Sequence, residues 1–340
     1  PLFYQSLMGM GDHLAKICML ADSHGLYDDR IYWKEAVSLK NGGYEVHFVL
    51  AGESDERGVT EEGIAYTVIQ RDRFAGNRLL NYLAKRLPGG LYARMFREAA
   101  QLRADVYHIH DLKVNRIGKK LKGLGHRPKL VYDVHEPYPE NILDYWPDRG
   151  VKGMLKRPWA GRIRRWEKKT TAGYDLIITT EENMQERFKA YFPEKPVAII
   201  YNYTDLPGQK PGKPDENKEY DAIYTGGITE FRGAWQILEA IRIAKHRKPR
   251  LKVLFLGSWF PPGLKERMQR FIRESGIGDQ VVLKEAVPYR EVSDHYRNSR
   301  VGLGIFLPIQ THRIILQIKI FEYMNFGLPI LGSNFGHIAR

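Results

Sequence analysis

The sequence predicts an α/β protein with two doubly wound, Rossmann-like domains. Apolar runs typical of strands alternate with helical segments along most of the 340 residues, and the alternation opens as strand, loop, helix, strand. A stretch rich in Pro, Gly and charge at residues 204–218 interrupts the alternation and is typical of a linker. With 43% hydrophobic residues, a chain of this length can bury two cores. We therefore predict domains over residues 1–203 and 219–340.

The first domain is predicted to open with a strand at residues 16–21, a helix at 31–43 closed by two glycines, and a strand at 44–52. Asp29 precedes this helix, where it is either an N-cap or a site residue. Later strands are predicted at residues 104–110, 130–135, 174–180 and 197–202, with a helix at 181–188. Strands joined through helices in this way form a parallel sheet.

Two of the predicted strands end in the words HIHD and DVHEPYPE. These words place His110, Asp111, His135 and Glu136 at the edge where an open α/β sheet binds ligands. Because His108 and His110 alternate to one strand face, a metal site that also includes Asp111 and His135 is an alternative. The sequence has no D-x-D word. We predict no metal, a structural role for His108, and site roles for His110 and His135.

The second domain is predicted to open with a strand at residues 220–224 and the glycine-rich turn TGG. Gly226 and Gly227 let the backbone approach a ligand closely, and Arg232 stands just before a helix N-terminus. Further strands are predicted at residues 251–257, 280–286, 301–307 and 329–332, and helices at 263–275, 290–299 and 318–326.

Lys319 and Glu322 lie one turn apart at the start of the last predicted helix, so they share a helix face. In an α/β unit this helix start lies at the carboxyl edge of the strands, where backbone N–H groups and the helix dipole favour phosphate. A lysine can neutralise a diphosphate, and a carboxylate one turn on can accept two ribose hydroxyls, which suits a nucleotide sugar. A surface ion pair is the alternative.

The words around this pair, KIFEYMNFGLPILGSNFG, resemble the K-x-F-E-Y-M-x-x-G-x-P-[IV] signature of the retaining, GT-B-fold family-four glycosyltransferases. The glycine turn resembles the family's v-G-R-L-x-x-x-K-G word, with Arg232 in the lysine position and Gly227 where the family has arginine. HIHD and DVHEPYPE resemble its acceptor-side motifs. Two features depart from the family. The first glutamate of its E-x7-E word falls on Ile314, and members usually continue beyond the equivalent of Arg340, so we expect the C-terminal end to be truncated.

The resemblance implies a two-domain GT-B enzyme with donor nucleotide sugar on the second domain, acceptor on the first, and chemistry in the cleft between them. It implies no metal, no cofactor and no covalent intermediate. His135, supported by His110, would be catalytic, and Arg232 with Lys319 would stabilise the departing diphosphate. The other implied site residues are Gly226, Gly227 and Glu322 for the donor, and Asp111 and Glu136 on the acceptor side.

The net charge of +13 is concentrated in two bands of the first domain. Residues 113–129 hold seven Lys or Arg and no acid, and residues 149–169 hold nine against the single Glu167, together with Trp159 and Trp166. Such segments suit anionic lipid headgroups, and solvated surface charge is the alternative. The sequence has no helix-turn-helix, zinc-finger or RNP-like word, so we predict no nucleic-acid partner.

No apolar run approaches the ~20 residues of a membrane-spanning helix, and no secretory signal is visible. The single Cys18 lies in an apolar run and excludes an internal disulfide. We therefore expect a cytoplasmic protein, peripheral on the inner face of the membrane.

The sequence as a whole favours a glycosyltransferase that acts on a saccharide or lipid-linked acceptor in surface polysaccharide or glycolipid biosynthesis. A nucleotide-sugar 2-epimerase of the same fold and a non-catalytic basic binding subunit are the alternatives. The base, the sugar and the acceptor stay open.

Overall fold

The computed structural model describes residues 15–72, 89–110, 112–146, 148–204, 218–288 and 291–339, with residue 337 described by its backbone alone. The chain forms two compact units, Pro1–Tyr201 and Asn202–Arg340. Asp111 and most of the predicted linker at 204–218 lie outside the described residues. The predicted domain boundaries therefore remain predictions.

The first unit is built on one eight-stranded sheet. Its strands are β1 Lys16–Ala21, β2 Glu45–Gly52, β3 Glu56–Val59, β4 Ala65–Gln70, β5 Val106–His110, β6 Lys129–Val134, β7 Leu176–Thr179 and β8 Val197–Ile199. They lie in the order β3-β4-β2-β1-β5-β6-β7-β8, and all pairs are parallel except β3 with β4. The chain leaves β1 toward β2 and later returns to its other side at β5. This is the switch point at which doubly wound sheets bind ligands.

The helices of the first unit follow the strands. They are α1 Asp29–Ala36, which is π-helical, α2 Val37–Asn41, α3 Leu91–Gln101, α4 Asn115–Lys122, α5 Tyr138–Tyr145, α6 Gly150–Thr171 and α7 Glu182–Tyr191. Asp28 caps α1, because its carboxylate accepts the backbone N–H groups of Arg30 and Ile31. The suggestion that Asp29 is the N-cap is therefore wrong, and Asp29 instead pairs with Lys34 at 2.6 Å.

Several elements of the first unit are absent from the sequence-based prediction, among them β3, β4 and α3. Strands β3 and β4 extend one edge of the sheet, and α3 covers it with Leu91, Tyr92, Met95 and Ala99 buried. Short edge strands carry many exposed polar residues, so their alternation is weak in the sequence. The apolar face of α3 has helical spacing, and this is a signal of the helix that the sequence does contain.

The second unit is built on a five-stranded, wholly parallel sheet. Its strands are β9 Tyr220–Thr225, β10 Val253–Gly257, β11 Val281–Glu285, β12 Ser299–Gly304 and β13 Ile330–Gly332, in the order β11-β10-β9-β12-β13. Its helices are α8 Ala234–Ala244, α9 Leu264–Glu274, α10 Val292–Arg297, α11 Gln310–Ile314 and α12 Ile318–Asn325. Apolar clusters pack on both faces of this sheet.

The predicted fold class of two doubly wound, Rossmann-like units is confirmed, and every strand predicted from the sequence is present, with shifted ends. Among the helices of the described ranges, none has the length and apolar content needed to cross a membrane.

Candidate functional site

The glycine turn of the second unit brings two backbone segments unusually close. Gly226 follows β9 with φ of 91°, the left-handed region that favours glycine. A Cβ added to Gly257, at the end of β10, would lie 1.8 Å from the Gly226 carbonyl oxygen. A side chain at Gly257 would therefore clash with the turn, and one at Gly226 would be strained by its φ, so the turn presents bare backbone at the carboxyl edge of the sheet.

Arg232 occupies the space beside this turn. Its Nη1 lies 3.5 Å from the Gly227 carbonyl oxygen and would lie 3.0 Å from a Cβ at position 227. The guanidinium thus lies against the position where the resembling word has an arginine. Gly233 then caps α8 with φ of 72°, where an added Cβ would lie 2.7 Å from Ile305.

Lys319 reaches the same turn from α12. Its Nζ lies 3.5 Å from the centroid of the Tyr224 ring and would lie 4.0 Å from a Cβ on Gly226. The amino group is buried and has no hydrogen-bond partner among the residues that the structure describes. Burial, followed by the positive charge of Arg232, holds the pKa of Lys319 well below its usual range, against the opposing effect of Glu322.

Glu322 lies one turn after Lys319 and is also buried, so the two do not form a surface ion pair. Its Oε2 accepts a hydrogen bond of 2.5 Å from the Tyr296 hydroxyl, which is 3.0 Å from Thr225 Oγ1 at the end of β9. Burial, and then the charge of Glu322, raises the pKa of Tyr296 well above its usual range, so the phenol stays a donor. The carboxylate is therefore held at a fixed place near the strand end.

These side chains make up a candidate anion site with a carboxylate beside it. Two basic side chains, Arg232 and Lys319, converge on the glycine turn, and the turn itself offers backbone for close approach. The two carboxylate oxygens of Glu322 can accept hydrogen bonds from a pair of vicinal hydroxyls. The residues predicted for the donor are thus together in one unit, and Tyr296, Thr225 and Tyr224 are additions that the sequence did not reveal.

In the first unit, the two predicted catalytic histidines lie around Asp133. His135 Nε2 is 2.9 Å from Asp133 Oδ2, and His110 Nδ1 is 3.4 Å from the same oxygen. Both rings stand at the carboxyl edge of adjacent strands, β5 and β6. Burial lowers the pKa of His110 to about 4, although Asp133 opposes the shift, so that ring is neutral at pH 7.

Arg30 ties Asp133 to a second buried carboxyl group. Its Nη2 lies 3.1 Å from Asp133 Oδ1, and its Nε lies 3.0 Å from Glu35 Oε1. Burial and the charge of Asp133 raise the pKa of Glu35 well above its usual range, despite Arg30. Burial acts against ionisation of Asp133 as well, but Arg30 and then His135 hold its pKa well below the usual range.

The ligand-type atoms of four buried residues, Glu35, His108, His110 and Asp133, lie within 4.8 Å of one another. This group shares His108 and His110 with the metal site that the sequence offers as an alternative, but it does not include His135. Arg30 already places a positive charge within 3.1 Å of both carboxyl groups. We therefore interpret the group as an ion-pair network rather than as a cation site.

The remaining residues predicted for the acceptor side, Glu136 and Asp111, do not belong to the buried network around Asp133 in the part of the chain that the structure describes. Glu136 is exposed and accepts a hydrogen bond of 3.0 Å from the Asn141 amide, and Asp111 lies outside the described residues. His24 was not predicted, yet its ring lies 5.1 Å from that of His135 in edge-on contact. The carboxylate of Asp28, 2.8 Å from Nδ1 of His24, holds the His24 ring in this position.

The family model of Glycosyltransferase Family 4 matches residues 34–206, about half of the chain. The chain belongs to this family. The matched segment contains Glu35, His110, Asp133 and His135, so the family assignment rests on the first unit. The search of curated proteins finds no match to the sequence of this glycosyltransferase.

Solved structures of similar fold cover both units of this family-four glycosyltransferase. Sucrose-phosphate synthase from Thermosynechococcus elongatus superposes with a TM-score of 0.69 at 14% identity, over 95% of this chain and 82% of that one. HepE from Anabaena, solved in complex with UDP and glucose, gives a TM-score of 0.64 at 14% identity, over 96% and 82%. Trehalose 6-phosphate synthase from Burkholderia multivorans gives 0.58 at 13% identity, over 92% and 80%. At such identities the likeness establishes the GT-B fold.

Proposed function

We propose that this glycosyltransferase moves a hexosyl group from a nucleotide sugar to a saccharide or lipid-linked acceptor with retention. One observation carries the donor assignment. Lys319, buried without a hydrogen-bond partner in the described part of the chain, converges with Arg232 on a glycine turn. A buried amino group of this kind is costly unless an anion completes it, and a diphosphate supplies that charge.

Glu322 extends the anion site into a nucleotide site. A ribose beside a diphosphate presents two vicinal hydroxyls, and the fixed carboxylate accepts both. The likeness in fold to HepE, whose structure was solved with UDP-glucose, supports a nucleoside diphosphate sugar as donor. The two cations also supply the charge that a metal ion would otherwise bring to the leaving diphosphate, so we propose that transfer proceeds without added metal.

The first unit supplies the acceptor side. His135 is the least buried ring of the histidine cluster around Asp133, and we assign it to contact with the reacting sugar or the acceptor hydroxyl. His110 and Asp133 orient it, and Glu136 with Asp111 contributes to acceptor binding. In this proposal the acceptor attacks on the face that the diphosphate leaves, and its proton passes to the departing phosphate oxygen. That route retains configuration and needs no carboxylate nucleophile.

We further propose a role in surface polysaccharide or glycolipid biosynthesis, with the protein peripheral on the inner face of a membrane. The supporting observation is the exposed basic helix α6, which contains eight Lys or Arg and follows directly on a ninth, Arg149. Attraction of this kind holds an enzyme where lipid-linked acceptors are found.

Donor screening followed by product analysis tests the proposal. A nucleotide sugar at 100 times its Kd should stabilise the protein by about 2.7 kcal/mol, seen as a rise in Tm, whereas the free sugar should not. The best donor is then incubated with and without acceptor and with EDTA. We expect an α-linked product only with acceptor when the donor is α-linked, unchanged by EDTA. A free epimerised sugar formed without acceptor would identify an epimerase instead, and no stabilisation by any donor would favour a binding subunit.

A further inference from the structure

Helix α6 presents apolar side chains to solvent along its first three turns. Met154 is 82% exposed, Val151 72%, Leu155 50% and Trp159 38%. Their spacing of three, four and eight residues from Val151 places them on one side of a helix. A contiguous apolar stripe on the surface of a basic helix marks an interaction site rather than scattered surface residues.

Positive charge continues the same side of the helix. Arg162, Arg165 and Lys169 are exposed and follow Val151 by 11, 14 and 18 residues, which are close to whole numbers of helical turns. The one acid of α6, Glu167, is buried, with Arg187 3.4 Å away. One face of α6 therefore has an apolar first half and a basic second half, with no exposed carboxylate.

Two residues of the predicted basic band serve internal contacts instead. The Trp166 ring lies 4.9 Å from the Arg116 guanidinium carbon, and Arg164 pairs with Glu140 at 2.9 Å. Trp159, by contrast, stacks on Trp146 with ring centroids 6.4 Å apart while its own side chain stays partly exposed. Trp159 is thus the tryptophan available for insertion.

We infer that this face of α6 docks on an anionic bilayer, with Val151, Met154, Leu155 and Trp159 inserted at the level of the acyl boundary. Arg162 and Arg165 then meet the headgroups. An apolar stripe next to uncompensated positive charge fits such a surface, because lipid offers both chemistries at once. A second copy of the chain fits less well, since two copies would bring like charges together. The inference rests on the proposed membrane location of the enzyme and names its surface.

Sedimentation of the full chain with vesicles tests the inference. The vesicles contain phosphatidylcholine alone or a mixture with phosphatidylglycerol. We expect binding to the mixed vesicles only, a drop of at least tenfold for Met154→Glu/Leu155→Glu, and a smaller drop for Arg162→Gln/Arg165→Gln. The control is Ile243→Glu, which changes an equally exposed residue, 69% accessible, on α8 of the second unit. The control should bind as the unsubstituted chain does.

Several results would overturn the inference. They are equal binding to both kinds of vesicle, binding to neither, and unchanged binding of Met154→Glu/Leu155→Glu. Light scattering on the same proteins tests whether a second copy of the chain covers this face instead. A dimer that dissociates in the Met154→Glu/Leu155→Glu variant would assign the face to that second copy. Donor affinity and Tm of each variant separate this question from the proposed function. Full donor binding without vesicle binding would refute the docking surface alone, and vesicle binding without donor binding would refute the donor site alone.

Discussion

The amino group of Lys319 lies 3.5 Å from the centroid of the Tyr224 ring, in a buried position where no described residue accepts a hydrogen bond from it. Burial, with Arg232 nearby, lowers the pKa of this group. A diphosphate that enters the site brings negative charge and must raise that pKa again. The donor and a proton are therefore expected to bind together.

This coupling predicts proton uptake on donor binding at a pH between the lowered pKa of the free protein and the raised pKa of the complex. The sign follows from linkage: binding that takes up a proton weakens as pH rises through that window. Calorimetry in two buffers of different ionisation enthalpy measures the uptake. Lys319→Met should abolish it, whereas Lys265→Met, at an exposed ion pair with Glu285, should not.

Glu322→Gln is expected to weaken nucleotide-sugar binding. A neutral amide accepts ribose hydroxyls less strongly than a carboxylate, and charge-assisted hydrogen bonds are worth roughly 1.5–3 kcal/mol. Tyr296→Phe should produce a smaller loss, because it frees the carboxylate from its 2.5 Å hydrogen bond without removing the charge. Calorimetry with the donor measures both. An unaltered Kd for Glu322→Gln would exclude the ribose role.

Arg232→Ala and Lys319→Ala are expected to lower kcat more than they raise the KM for donor. Charge on the leaving diphosphate grows toward the transition state, so the two cations stabilise that state more than the ground state. Steady-state kinetics with a fixed acceptor measures the two constants. A change in KM alone would mean that the cations bind donor and transition state equally. Arg242→Ala, at an exposed pair with Glu239, is the matched control.

Arg30→Met is expected to destabilise the first unit by about 3–5 kcal/mol, because it leaves Asp133 and Glu35 buried without their cation. The loss should be larger at pH 8 than at pH 5. Without Arg30 both carboxyl groups favour the protonated form in the folded state, so folding loses free energy as rising pH ionises them. Urea unfolding at both pH values measures the difference. Lys16→Met, at the surface pair with Glu45, should cost no more than about 1 kcal/mol at either pH.

Several features of this protein follow from short local stretches of its sequence. The strands, the helix that holds Lys319 and Glu322, and the glycine turn depend on short apolar periods and on Gly, which a sequence displays directly. The predicted donor residues could be grouped because they occur within two motifs of the second unit. Their burial, and the absence of an ion pair at the surface, depend on packing that the motif does not reveal.

The contacts around Asp133 could not be predicted from the sequence. Arg30 and Asp133 are 103 residues apart, and Tyr296 and Glu322 are 26 apart, so no local period connects them. Arg30 lies in a segment that the sequence accounts for as a helix start. Asp133 lies in a segment that it accounts for as a buried strand. Only the sheet order, which places β6 two strands from β1, brings these side chains together.

His135→Ala is expected to lower kcat while donor affinity stays unchanged. The ring donates from Nε2 to Asp133 at 2.9 Å, which leaves the lone pair of Nδ1 for a substrate hydroxyl. Loss of one hydrogen bond to a group that gains charge costs roughly 1.5–3 kcal/mol, or about a 10- to 150-fold fall in kcat. Asp133→Asn should lower kcat as well, because an amide no longer fixes that tautomer.

The control for these two variants is His126→Gln. His126 precedes β6 and bonds the Ala104 carbonyl at 3.0 Å, whereas His135 follows the other end of the same strand. The His126→Gln variant should therefore have an unchanged kcat. Single-turnover kinetics with saturating donor separates chemistry from binding, and calorimetry supplies the donor Kd for each variant. A His135→Ala protein with full kcat would remove this ring from the reaction and leave it a structural partner of Asp133.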